Sequence, residues 1–359
     1  MNFKKTIFTA FSAALFLISC EEEIGLPTQT SLGDYDNGII VLNQGNFGQG
    51  NSNVSFISNN FEKFDNNFFN IVNPAVTMGD TGQDIGFFGD FAYIVLNVSN
   101  TIQVVNRYTF KHIKTITGLK NPRYITFANG KGYVTNWGIG SNTADDYVAV
   151  LNLSTNQIST TIPVAEGPER IVANNNSLYV VHTGGFGYGK TISVISAVTN
   201  LVLTTINVGD VPNAIKIQGN ILYVICGGNP SFVPLPAVET TGKLVKIDLS
   251  NNSILSSINF AGMVHPSNID IVGNDLFYTV NAGIFKTSIS SATLPTVPFF
   301  STTAQGVYGI YSFEIENNYI FVGDAKDYNS NGLVYVYSLG GILQKTFTVG
   351  VIPAGFYFN

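Results

Sequence analysis

The side chains that recur at fixed places in this chain are arginines, asparagines and large rings, not nucleophiles or metal ligands. Arg123, Glu169, Arg170, Asn213, Ser267 and Asn268 all stand one or two residues after a proline (Pro122, Pro168, Pro212, Pro266). Phe47, Trp137, Phe186, Tyr188 and Phe232 fall in irregular polar segments between apolar runs. Guanidinium and amide groups donate hydrogen bonds in fixed directions, and rings offer flat apolar contact. Together they suit non-covalent capture of a small, partly flat ligand. Packing between structural units is the plainer use of each ring. A second set, Asn43, Asn97, Asn136, His182, Cys226, Asn281 and Asp324, occupies one equivalent position in successive apolar runs. Asparagine there steadies a turn, and His182 and Asp324 are the departures. The candidate ligand-binding set is therefore Phe47, Arg123, Trp137, Arg170, His182, Phe186, Tyr188, Asn213, Phe232 and Asn268.

Catalysis and metal binding find little footing. The chain has no Gly-x-Ser-x-Gly elbow, no His-Glu-x-x-His and no phosphate loop. His112, His182 and His265 are scattered without ligand spacing, which gives no transition-metal site. Asp327-Tyr328-Asn329-Ser330-Asn331-Gly332 looks like the start of a calcium loop, but Ser338 stands where the bidentate Glu belongs, so a polar hairpin is expected. Cys226 lies in the apolar run Leu222–Cys226 and reads as a buried, inert thiol. The expectation is a protein that is not an enzyme and carries no metal or cofactor.

The elements that position these residues repeat. Asn121–Ile125, Gly132–Asn136, Tyr147–Asn152 and Ile158–Ile162 form one unit of four short apolar runs, and the next begins at Gly167-Pro168. Pro122, Pro168, Pro212 and Pro266 are 46, 44 and 54 residues apart, with weaker copies near Asp84 and residue 308. Runs rich in Val, Ile, Thr, Tyr and Phe, cut by Asn-Gly and Asn-Asn, mean an all-β chain. Four-stranded units of about 40 to 50 residues are propeller blades. Six units start at 84, 122, 168, 212, 266 and about 308. A seventh is split: Gly38–Asn43 is a second strand without a first, and Ile352–Phe358 a first strand without a second. The expected fold is a seven-bladed β-propeller over residues 38–359, closed by pairing of the C-terminal strand into the N-terminal blade. One face then carries minimal turns, and the other every long loop, with the aromatic candidates on it.

Residues 1–19 read as a signal peptide, with Lys4 and Lys5 ahead of an apolar stretch from Thr6 to Ile18 that is too short to span a bilayer. Leu17-Ile18-Ser19-Cys20 resembles a bacterial lipobox, which makes Cys20 the lipidated residue and 20–37 a linker. Removing Lys4 and Lys5 from 17 basic residues leaves 15 against 23 acidic ones, a net charge of −8. Such a chain does not suit nucleic acid or anionic headgroups, so membrane contact is expected through the anchor alone. Glu21-Glu22-Glu23 resembles the surface-export signal of Bacteroidota lipoproteins; its other use is a solvated tether.

Tyr133-Val134-Thr135-Asn136, the prolines before the inner strands and the third strand Val245-Lys246-Ile247-Asp248 resemble YVTN-type (YncE-like) propeller repeats. Seven-bladed lipoproteins of that kind resemble capture partners of TonB-dependent outer-membrane transporters. The resemblance implies an outer-membrane, lipid-anchored protein at the cell surface, with the periplasmic face as the alternative. It implies a cobalamin- or siderophore-like ligand on the loop face, handed to such a transporter. The alternative function is a structural or adhesive propeller binding protein or glycan. A third, a propeller hydrolase or lactonase, would need a carboxylate cluster in the channel.

Overall fold

The computed structural model describes residues 31–232 and 238–359. The expected signal peptide, Cys20 and the linker to residue 30 lie outside the described residues.

Seven four-stranded antiparallel sheets follow one another along the chain. Six are built in order, from Gly82–Phe88, Pro122–Ala128, Pro168–Asn174, Pro212–Gln218, Ser267–Val272 and Ser312–Glu316 outward. The remaining blade takes Gly38–Asn43, Asn53–Ser58 and Phe64–Asp65 from the start of the chain and Pro353–Phe358 from its end. Ile40 pairs with Tyr357 and Val41 with Phe356, which closes the ring as the two half-units require. The inner strand of the sixth unit begins at Ser312 rather than near 308, because a short 3₁₀ turn, Thr303–Gln305, and a loop carrying Tyr308 precede it.

Burial explains the sequence pattern. Second and third strands such as Leu178–Val181 and Ile192–Ile195 are buried along their length, because neighbouring blades cover both of their faces. They therefore read as continuous apolar runs, while the outer strand Leu201–Asn207 is mostly exposed. Asn129, Asn156, Asn175 and Asn252 take left-handed backbone in the tight turns, a conformation asparagine tolerates. Tyrosines inside the second strands hook one blade to the next. The Tyr93 hydroxyl donates to Asn156 at 3.0 Å, Tyr133 to the Ala197 carbonyl at 2.9 Å and Tyr179 to Asn252 at 2.8 Å.

The two faces differ as expected, with one exception. The segment between Gly283–Ser288 and Phe300–Ser301 is a long excursion on the turn side. The chain's leading segment also sits on that side. The Tyr35 amide donates to the Tyr108 carbonyl, and Asn359 donates to the carbonyls of Tyr35 and Arg107. Gly38–Asn43 then runs from this face to the opposite one.

Candidate functional site

The inner strands do more than line the axis. Six of the seven carry a register shift just after their first residue, between Gly82 and Asp84, Pro122 and Ile125, Pro168 and Ile171, Pro212 and Ala214, Ser267 and Ile269, and at Pro353/Gly355. A regular strand sends successive side chains to opposite faces, whereas a bulge re-aims one of them. Here the bulges turn consecutive residues toward one space: Arg123 with Tyr124, and Glu169 with Arg170. The residue ahead of the proline is left-handed at Asn121, Gly167, Val211 and Ile352. At Gly167 a β-carbon would lie 1.8 Å from the Gly185 nitrogen, so only glycine fits there.

The space is a cavity of about 390 Å³ on the loop side of the axis, walled by Gln44, Phe47, Thr81, Gln83, Asn97, Arg123, Tyr124, Glu169, Arg170, Tyr311 and Ala354. A lower cavity of about 170 Å³ shares Tyr124, Arg170 and Ala354 with it and adds Asp84, Asn268, Glu314 and Tyr357 among its walls. Arg123 and Glu169 meet fork to fork, Nη2 to Oε1 at 2.7 Å and Nε to Oε2 at 2.9 Å. The same guanidinium lies 4.1 Å from the Trp137 ring centre, and the indole N–H donates to the Pro168 carbonyl at 3.1 Å. Arg170 covers the Tyr124 ring at 4.7 Å. The Tyr311 hydroxyl donates to Gln44 at 2.6 Å, and burial pushes its pKa up to about 12, so it stays a neutral donor.

Below the mouth the carboxylates act as ties between blades. Asp84 accepts from the Ile125 amide at 2.9 Å and from the Tyr357 hydroxyl at 3.0 Å; burial raises its pKa to about 6 against these bonds. Asp270 accepts from the Ile315 amide at 2.7 Å and pairs with Lys216 at 2.6 Å. Glu314 stands 3.5 Å from Lys216, and burial holds its carboxyl well above the usual range, with Lys216 opposing. No group of three or more His, Cys, Asp or Glu able to hold a metal occurs among the described residues.

The expected site residues divide. Phe47, Arg123 and Arg170 line the mouth, and Asn268 lines the lower cavity. Trp137 and Phe186 meet edge to face at 5.6 Å in a side crevice with Ile139 and Gly140. Asn213 donates to the Pro266 carbonyl at 3.1 Å and so ties two blades. Tyr188 and Phe232 are exposed on their loops and line neither cavity. His182 is 1% exposed with Nε2 2.9 Å from the Ser193 hydroxyl, so it sits in the packing between strands and off the channel. Tyr124, Tyr311, Gln44, Asp84 and Glu314 belong to the channel and are absent from the sequence-derived set. Tyr124 lies in the bulge with Arg123, and Asp84 is the first paired residue after the bulged Gln83. Asp327 accepts from the amides of Asn329 and Ser330, and these bonds lower its pKa to about 2; the segment is a polar turn. Cys226 is buried, and that burial pushes its thiol up to about 12.

Known structures share this architecture at low identity. A functionally unknown protein from Desulfotomaculum acetoxidans superposes with a TM-score of 0.64 at 12% identity, covering 90% of this chain and 99% of its own. A quinonprotein alcohol dehydrogenase-like protein from Bacteroides thetaiotaomicron gives 0.63 at 11% identity, with 90% and 78% covered. BamB from Moraxella catarrhalis gives 0.53 at 12%, with 90% and 86% covered. At such identities the likeness is one of fold. Among curated proteins no sequence matches. Residues 37–358 match one family profile throughout, and the chain belongs to that family, DUF5074, a domain of unknown function.

Proposed function

We propose that this chain is a lipid-anchored propeller of the outer membrane that captures a small polar ligand at its channel mouth and passes it to a TonB-dependent transporter. The observation that carries the reading is the mouth cavity of about 390 Å³, where the rings of Tyr124 and Tyr311 stand beside the donors of Arg123, Arg170, Gln44, Gln83 and Asn97. Few, fixed polar groups among rings in a preformed concavity are what small-molecule recognition requires. The leading segment from Leu32 to Gly38 joins on the opposite face, which leaves the mouth clear of that segment. Cobalamins and ferric siderophores are the ligand classes the reading favours.

Calorimetric titration of the purified protein with cobalamins, haem and ferric siderophores tests this. One of them binds at micromolar concentration or tighter, and Tyr311→Ala weakens it about tenfold, the worth of one lost ring contact and donor. No binding by any member of the panel refutes the reading. An adhesive role draws its support from the exposed rings Phe47, Phe186, Phe232 and Tyr308 on the loop face. Retention on a glycan array, abolished when those rings are replaced, would favour it instead.

A further inference from the structure

Arg170 stands apart from the other cations of the channel. Arg123 is held by both oxygens of Glu169, and Lys216 by Asp270 and Glu314. Among the described residues no carboxylate reaches ion-pair distance of Arg170, and its guanidinium donates no hydrogen bond. Its guanidinium carbon lies 4.7 Å from the centre of the Tyr124 ring, while Glu314, Asp84 and Tyr357 act on its charge from beyond ion-pair distance. The residue lines both cavities, at the level where they share Tyr124 and Ala354.

A guanidinium is charged at every accessible pH and carries five N–H donors in a rigid fork. Arg123 and Lys216 each hold a carboxylate within ion-pair distance, whereas the Asp84 and Glu314 carboxyls act on the Arg170 fork only from farther off. Local charge decides which oxyanion fits. Asp84 keeps a carboxylate beside the lower cavity, tied to Ile125 and Tyr357, and Glu314 faces the same space. Burial keeps the Glu314 carboxyl protonated above the ordinary range. With the Asp84 carboxylate already beside the cavity, each further negative charge is opposed, so a monoanion is disfavoured less than a phosphate dianion. A planar, bidentate acceptor matches the fork best.

On the reading that the mouth holds the ligand, we propose that Arg170 receives the carboxylate of a monoanionic small molecule whose body rests against Tyr124 and Tyr311.

Benzoate, benzamide and inorganic phosphate, titrated into the full folded domain by calorimetry, test this. Benzoate and benzamide share shape and differ in charge, so wild type binds benzoate about tenfold or more tighter than benzamide, and tighter than phosphate. Arg170→Gln removes the preference while leaving the melting temperature in place, since no ion pair is broken. Arg170→Lys keeps the charge but loses the fork, and recovers only part of the preference. Equal binding of benzoate and benzamide by wild type, tighter binding of phosphate, or an undiminished preference in both variants overturns the assignment. The two readings fail separately. A neutral compound from the capture panel whose affinity ignores Arg170→Gln removes the role of Arg170 and leaves capture standing. A benzoate preference without any binder from that panel does the reverse.

Discussion

Replacing Glu169 with Gln should cost the fold about 2–3 kcal/mol, because it strands Arg123 beside the channel without its counter-charge. The pair is close, 2.7 and 2.9 Å, and poorly exposed, with 15% of the Arg123 and 11% of the Glu169 side chain accessible. Two unit charges about 4 Å apart attract by about 4 kcal/mol at an effective dielectric constant near 20. Removing one partner of a buried pair costs about 3–5 kcal/mol in general, mostly from the charge left behind. Gln keeps one acceptor oxygen, and the Trp137 ring still faces the guanidinium at 4.1 Å, a contact worth about 1 kcal/mol. Both soften the loss toward the lower figure. Urea unfolding followed by tryptophan fluorescence reads it directly, since Trp137 is the only tryptophan and touches Arg123. Coincident transitions by fluorescence and circular dichroism would license the two-state value. Replacing both partners with Met should return stability to within about 1 kcal/mol of wild type, because no unpaired charge remains. A loss below about 0.5 kcal/mol for Glu169→Gln would place the pair with ordinary surface ion pairs and refute the reasoning.

Three further outcomes follow from the same structure. Burial lowers the His182 pKa from 6.5 to about 4, so its contribution is present above pH 6.5 and is lost as pH falls toward 4. At about 1.4 kcal/mol per pH unit this amounts to roughly 3 kcal/mol, and His182→Gln should flatten that part of a stability–pH curve; an unchanged slope contradicts it. Val211 is β-branched at φ 52°, so Val211→Asn should gain about 1 kcal/mol in a thermal melt, and a loss would mean that the side chain's packing outweighs the strain. Deleting Pro353–Asn359 removes the partner of Gly38–Asn43 and exposes a strand edge; gel filtration should find aggregates, and a monomer melting like wild type would refute closure by that strand.

Much of the fold was legible because its grammar is local. Apolar runs separated by asparagine turns set the strands, and two half-units at opposite ends could only complete each other. The channel was less legible. A proline marks where an inner strand begins, which located Arg123, Arg170 and Asn268, but a one-residue bulge leaves no signature in composition. Tyr124 and Asp84 were therefore invisible as wall residues. Glu314 follows Ser312 rather than a proline, so no landmark pointed to it. His182 stood out among asparagines at the end of a second strand, yet it is buried against Ser193 and the backbone at Ala165 and Glu166, and burial, not ligand contact, accounts for it.

The central claim is that the loop-side channel mouth is a ligand site. A crystal structure of the protein with the tightest-binding compound of the capture panel tests it most directly. The account requires that compound between Tyr124, Arg170 and Tyr311. A compound seated on the turn face or on the outer strands, with the mouth holding only water, would contradict it.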